Sequence, residues 1–447
     1  MTTRPYALAL TFLAAGVLIA CGAEEAPPAA ASVEPATVAP VVEKAAEPRP
    51  ETAAPDSLPN GLVLALAQFA TEKGEDGKNK FIPGAARLEF LFRRDGKWQT
   101  SELEDPDSNV FHKAMVYDAG EGPRLLTLGG TAAMVKTWEM TDSGLVATLL
   151  WEKDFGGKHS RMRDAEIGNI FGDGKASIAV ATHDQGVVAV VRPVDAGFEV
   201  QELEQQENIF VHEIEIGDLD GDGVLEIYAT PSEPNRLDGS PQAGEVVRYR
   251  PAQGEGRVVV AALGERHAKE ILVADLDKNG RDELYVSVEG EIEKSGATKR
   301  IKSPVEIRRY DADTPNDEGV VIGVLQDSLS RFLTPGDVDG DGKLELVAAA
   351  YSSGLWLFRP GPDPMGTWNS ELIDRGSAGF EHAAILADLD GNGSDELYVA
   401  SDKHKEVRRY VWDGTRMVKE TIYKRPDDRP IFTWNLMPVP IELIPSN

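Results

Sequence analysis

Four stretches of the chain set side-chain oxygens at one repeated spacing. Numbered from its first Asp, each is a nine-residue loop with oxygen-bearing side chains at positions 1, 3, 5 and 9 and a glycine at 6. The sets are Asp218, Asp220, Asp222 and Glu226; Asp275, Asp277, Asn279 and Glu283; Asp337, Asp339, Asp341 and Glu345; and Asp388, Asp390, Asn392 and Glu396. Carboxylates packed this tightly repel one another, and a bound hard cation removes the repulsion. Calcium takes roughly six to eight oxygens from a flexible loop. Alternate side chains and a backbone carbonyl at position 7 suit it, and the glycine permits the sharp turn. The expectation is about four calcium ions, one per loop.

The DxDxDG start is shared with the EF-hand, which also needs a bidentate Glu at position 12 and flanking helices. Position 12 is Ala229, Val286, Ala348 and Val399, so that reading fails four times. The residues after position 9, such as Glu-Ile-Tyr-Ala and Glu-Leu-Tyr-Val, are strand formers. A fainter copy at 167–181 puts Asn169, Phe171, Asp173 and Ser177 at positions 1, 3, 5 and 9. It is expected to keep the turn without the ion.

This pattern resembles the FG-GAP/VCBS repeat family, whose members include the head of integrin α chains. The resemblance covers nearly the whole chain after residue 60. It implies a β-propeller in which each repeat is one four-stranded blade, with calcium in the loop between its first two strands.

The elements that must position these loops are strands, since no long helical period appears after residue 61. Loops begin at 169, 218, 275, 337 and 388, a spacing that fits blades of about 40–50 residues with insertions. One interval earlier, 111–130 reads as a further unit with a shortened loop at Asp118. Residues 61–104 match the second to fourth strands of a unit whose first strand is missing. The apolar strand 431–439 supplies it, closing the ring and protecting both sheet edges. The fold class is therefore all-β, a seven-bladed propeller of four-stranded antiparallel blades. The blades are 61–104 with 431–439, 111–152, 160–204, 210–262, 267–326, 331–373 and 380–423.

Six residues before each loop start stands a basic or titratable side chain: His112, Arg163, His212, Lys269, Arg331 and His382. In a propeller they ring the central channel on the face opposite the acidic loops. Such a ring suits an anion or the acidic groups of a partner. The plainer account is local pairing with Asp164, Glu213, Glu270 and Glu381. The same face should carry three long loops, 70–84, 231–244 and 289–303, as recognition elements or tolerated insertions.

The 447 residues carry a net charge of −29, which argues against nucleic acid or an anionic bilayer as a general partner. One cysteine excludes an internal disulfide. It is Cys21, at the end of the apolar run in residues 1–21, which has the form of a secretory signal. This segment resembles a bacterial lipoprotein signal. The resemblance implies lipidation of Cys21, loss of residues 1–20 and, with Gly22 following, sorting to the outer membrane, facing the periplasm or the cell surface. Residues 22–60 are Ala/Pro/Glu-rich with few aromatics, a disordered tether. Residues 61–447 form the propeller.

No GxSxG, Walker A, CxxC or HExxH motif is present, and no catalytic residue is assigned. The expected function is a calcium-stabilised, lipid-anchored, monomeric binding or scaffold propeller for a protein or glycan partner. The membrane is reached through the lipid alone. The alternative is a carbohydrate-active enzyme, or a binding protein for acidic polysaccharide, working at the basic ring.

Overall fold

The computed structural model describes residues 56–74, 79–156, 160–183, 185–231, 236, 238–295, 298–379, 383–426 and 429–446. Cys21, the leader, the tether up to residue 55 and the ring position His382 lie outside the described residues. Residues 71–82 group with 1–47 in a small unit. Its described part is the outer end of β1 (Asn60–Lys73) and most of β2 (Asn79–Pro83). The larger unit, 48–70 with 83–447, holds the propeller.

The apolar run after each acidic loop becomes a strand buried at every residue: β14 (Glu226–Pro231), β18 (Glu283–Val288), β24 (Glu345–Ala350) and β28 (Glu396–Ser401). A strand apolar on both faces needs a packed layer on each side. Each is the second strand of a four-stranded antiparallel sheet, and each sheet stacks between two others.

Blade 2 comprises β5 (Phe111–Tyr117), β6 (Arg124–Gly129), β7 (Val135–Thr141) and β8 (Gly144–Trp151); blade 3 comprises β9 (Met162–Gly168), β10 (Ser177–Thr182), β11 (Val188–Val194) and β12 (Gly197–Glu204). Blade 4 adds β13 (Val211–Gly217), β15 (Gly244–Arg250) and β16 (Glu255–Gly264) to β14. Blade 5 adds β17 (Ala268–Ala274), β21 (Val305–Tyr310) and β22 (Val320–Leu325) to β18. Blade 6 adds β23 (Ser330–Gly336), β25 (Leu355–Arg359) and β26 (Asn369–Asp374) to β24. Blade 7 adds β27 (Ala384–Ala387), β29 (Glu406–Trp412) and β30 (Met417–Lys424) to β28. The segment 289–303, expected as a loop, contains a separate hairpin of β19 (Glu291–Ser295) and β20 (Thr298–Ser303).

Blade 1 joins the two ends of the chain. β1 pairs on one side with β3 (Ala86–Arg94), which carries β4 (Lys97–Asp105), and on the other with β31 (Ile431–Pro440). The pairing with β31 runs from Asn60↔Pro440 to Gln68↔Ile431. The innermost strands then touch in order around a closed ring: β31, β5, β9, β13, β17, β23, β27 and back to β31. The expected closing strand and seven blades are thus observed.

Two kinds of contact hold the ring. Apolar clusters fill the seams between blades; the last joins Tyr398 and Val407 of blade 7 to Leu62, Leu64 and Leu436 of blade 1. Polar side chains also bridge consecutive innermost strands. Asn435 accepts the Ala114 N–H (3.4 Å), Asp164 the Ile214 N–H (3.0 Å), Glu270 the Leu333 N–H (2.8 Å) and Thr334 the Leu386 N–H (2.9 Å). Among the described residues the only helices are three short 3-10 turns, and none is long and apolar enough to cross a membrane.

Candidate metal loops and channel mouth

The acidic loops share one backbone course, which each position-1 Asp wraps around itself. Asp218 Oδ1 accepts the Asp222 N–H (3.0 Å) and its Oδ2 the Gly223 N–H (2.8 Å). Asp275, Asp337 and Asp388 make the same pair of bonds at 2.8–3.1 Å. Gly223, Gly280, Gly342 and Gly393 have φ of +83°, +89°, +87° and +84°, where a side chain would be strained. The faint copy keeps the turn: Asn169 Oδ1 accepts the Gly174 N–H (3.0 Å), and Gly174 has φ +80°.

The turn brings carboxylate oxygens together. One oxygen each from Asp218, Asp220 and Asp222 lie within 4.8 Å of one another. The same holds for Asp275, Asp277 and Glu283; for Asp337, Asp339 and Glu345; and for Asp388, Asp390 and Glu396. Oxygens about 2.3–2.6 Å from a common ion would be spaced this way. With only carboxylate and amide side chains in the set, the loops could hold a hard divalent cation.

In each of these four blades an arginine from the third strand enters the same cluster, at no fixed offset from the loop in the sequence. Arg309 Nη2 lies 2.7 Å from Asp277 Oδ2 and 3.3 Å from Glu283 Oε1. Arg359 Nη1 lies 2.8 Å from Asp339 and 2.6 Å from Glu345. Arg409 Nη2 lies 2.8 Å from Asp390 and 2.6 Å from Glu396. Arg250 bridges Asp220 and Glu226, the latter at 2.7 Å. In blade 3, Arg192 donates to Asp173.

The position-9 glutamates are buried ties as much as candidate ligands. Each accepts the backbone N–H of position 2, from Leu219, Leu276, Val338 or Leu389. Tyr228, Tyr285 and Tyr398 donate their hydroxyls to Glu226, Glu283 and Glu396. Burial pushes Glu283, Glu345 and Glu396 up to about 7, against the pull of Arg309, Arg359 and Arg409.

At the opposite end of the innermost strands, His112, Arg163, His212, Lys269 and Arg331 each occupy the second residue of their strand. Arg163 Nη2 is 2.7 Å from His212 Nε2. Burial drives His212 well below its ordinary pKa, helped by the charges of Arg163, Arg331, Lys269 and His183, so the imidazole is neutral near pH 7. Aromatic rings that the sequence did not single out complete the mouth. His112 stacks on His183 and meets Trp434 edge-on, Arg163 lies over the Trp434 ring at 5.4 Å, and Phe210 packs between His183 and His212. One of the expected local contacts is present, His212 at 3.5 Å from Glu213, whereas Lys269 lies 3.7 Å from Glu289, twenty residues on.

One layer further along the channel lies a group of carboxyls. Lys113 Nζ is 2.9 Å from Asp164 and 2.5 Å from Glu166. Burial first, then the neighbouring acids Asp164 and Glu270, raises Glu213 well above its ordinary value. Burial and Glu166 do the same for Glu215.

Against known families, residues 337–399 match the profile described as an FG-GAP-like repeat. That stretch is similar to an FG-GAP-like repeat. It runs from the acidic loop of blade 6 to the second strand of blade 7 and so contains both loops of those blades, Asp337 to Glu345 and Asp388 to Glu396. The other acidic loops repeat the same bonds outside the matched residues. No curated protein matches the chain. Among solved structures, a candidate 6-phosphogluconolactonase from Bacteroides fragilis is similar over 85% of this chain and 98% of its own, with 14% identity and a TM-score of 0.47. Sqt1 of Saccharomyces cerevisiae is similar over 82% of this chain and 88% of its own, with 10% identity and a TM-score of 0.47.

Proposed function

We propose that the protein is a calcium-stabilised propeller, held at the cell envelope by lipid on Cys21, that binds an anionic partner rather than turning over a substrate. The observation that carries this reading is the convergence of Arg163, Lys269 and Arg331 on the neutral His212, from four consecutive blades, at one mouth of the channel. Fixed cations in a poorly solvated site bind carboxylate or sulfate groups of a protein or glycan more strongly than the same charges on open surface. The half-buried Trp434 and Phe210 rings offer apolar surface beside them, as glycan and peptide recognition uses. In this reading the acidic loops play a structural part on the far face, each ion fixing one turn.

The deciding experiment is binding of wild-type protein and the His212→Ala/Arg331→Gln double variant to immobilised polygalacturonate and to a sulfated glycan, with melting curves to verify folding. Wild-type binding that falls at least tenfold in a folded variant supports the reading; equal binding overturns it. Lipidation is tested by mass spectrometry of the expressed protein, where Cys21→Ser should abolish a diacylglycerol-sized mass increase.

A second reading is favoured by the 2.7 Å contact between Arg163 and a neutral His212. If the guanidinium turns to an acid group of a substrate, it frees the Nε2 lone pair of the neutral imidazole to take a proton beside that group. Release of unsaturated sugar ends from polygalacturonate, lost in His212→Ala, would favour a polysaccharide lyase.

A further inference from the structure

The acidic loops are not four equal copies; they alternate. Loops 218–226 and 337–345 carry Asp at position 5 and Leu at position 8 (Leu225, Leu344), whereas loops 275–283 and 388–396 carry Asn at 5 and Asp at 8 (Asp282, Asp395). Just before position 1 the first kind has glycine (Gly217, Gly336) and the second alanine (Ala274, Ala387). The clamping arginine follows its aromatic neighbour in the first kind, as in Tyr249-Arg250 and Phe358-Arg359. It precedes it in the second, as in Arg309-Tyr310 and Arg409-Tyr410.

The alternation has a geometric cause. Asp282 reaches back to the preceding blade and accepts the Asp218 N–H at 2.7 Å, while its own N–H donates to the Asp218 carbonyl at 3.2 Å. Asp395 does the same to Asp337, with both bonds at 2.8 Å. The glycine makes the room. A Cβ on Gly217 would run into Val273 Cγ1 and lie 2.7 Å from Asp282 Oδ2, and one on Gly336 would lie 2.8 Å from both Leu386 Cβ and Asp395 Oδ2, too close for real contacts. Between the two pairs this clasp cannot form, because blade 6 has Leu344 at position 8. The described link there is from Lys278 to the Gly342 carbonyl.

We propose that the loops take up divalent cations as two clasped pairs, 218–226 with 275–283 and 337–345 with 388–396, and that Asp282 and Asp395 are the positioning residues that couple occupancy within each pair. This rests on the reading of the loops as cation sites. Asp282 lies between positions 5 and 9 of its own loop, so an ion there fixes its backbone. That fixed backbone holds Asp218, the first candidate ligand of the neighbouring loop. The second ion then enters a loop already ordered by the first, which is positive cooperativity without a change of fold.

The test is calcium titration of the EDTA-stripped full chain by calorimetry, with hydrogen exchange read on peptides covering each loop. The proposal expects a Hill coefficient clearly above 1. Asp282→Leu with Asp395→Leu, the residue type the partner loops carry, should bring it to 1 and weaken uptake about tenfold with the number of ions retained. The Asn variants keep the accepting oxygen and should restore cooperativity. If the Leu variants do not fold, Asp277→Ala serves. It should speed calcium-state exchange in loop 218–226 and leave loop 337–345 as in wild type. Independent uptake in wild type, unchanged cooperativity in the Leu variants, or equal effects of Asp277→Ala on both loops overturns the pairing and leaves the cation reading standing. No calcium uptake at all overturns both.

Discussion

The Arg409 guanidinium lies 2.6 Å from Glu396, and both side chains are shut away from solvent at 9% and 2% exposure. Removing one member of such a pair leaves the other buried without its counter-charge, which costs about 3–5 kcal/mol. Arg409→Gln should destabilise the protein by that order in urea unfolding in EDTA. Arg409→Met with Glu396→Gln should recover most of it. A loss below about 1 kcal/mol for the single variant would show that the pair is not a structural tie.

Chelation addresses the loops from the other side. If each takes calcium, saturating ion adds about 2.7 kcal/mol per site at a hundred times the dissociation constant. EDTA should therefore lower the melting temperature, with light scattering showing the same oligomeric state. An unchanged melt argues that the arginines alone balance the loop charge.

The channel carboxyls set a pH dependence. Glu213 faces Asp164 and Glu270, with Arg163, Lys113 and His212 nearby, and its folded pKa is raised well above the unfolded value of about 4.3. As pH rises past that unfolded value, the unfolded chain releases its proton first. The contribution to stability is thus fully present below about pH 4.3 and is lost as pH climbs to the folded pKa. Glu213 keeps some exposure at 17%, so channel water moderates the effect. Glu213→Gln should raise stability at pH 7.5, with the gain shrinking as pH falls and vanishing near pH 4. Urea melts across that range provide the check.

Ring closure gives the largest expected effect. Leu436 is buried at 2% in the seam between blades 7 and 1, and Leu436→Asp would bury a charge there. Cooperative thermal unfolding should be lost or shifted down by more than 10 °C. A shift of a few degrees would mean that β31 contributes little beyond its backbone bonds.

Much of this architecture was legible in the residues. The acidic loops fixed the blade period, and the unmatched strand at 431–439 fixed the closure, because both signals lie within short stretches of chain. The arginine clamp was harder to see. Arg250 stands 30 residues after Asp220 but Arg409 only 19 after Asp390, since the intervening strands and loops differ in length. The channel mouth was half visible. The basic column sits at one offset from the loops, whereas His183 follows the end of the second strand of blade 3 and Trp434 reaches the mouth only once the ring has closed. The 289–303 segment has the composition of a loop, because Lys, Glu and Gly dominate it. Its pairing is local and exposed, so it needs no apolar alternation.

The pairing of β1 with β31 ties residue 60 to residue 440. While the chain is being made, the first sheet therefore waits with one flank bare until nearly the whole polypeptide exists. Contacts this far apart in sequence delay folding, and an open flank invites strand exchange with another copy. The six other blades are built from strands local in sequence, so the seam at β31 is the one place where the ring depends on both ends of the chain at once.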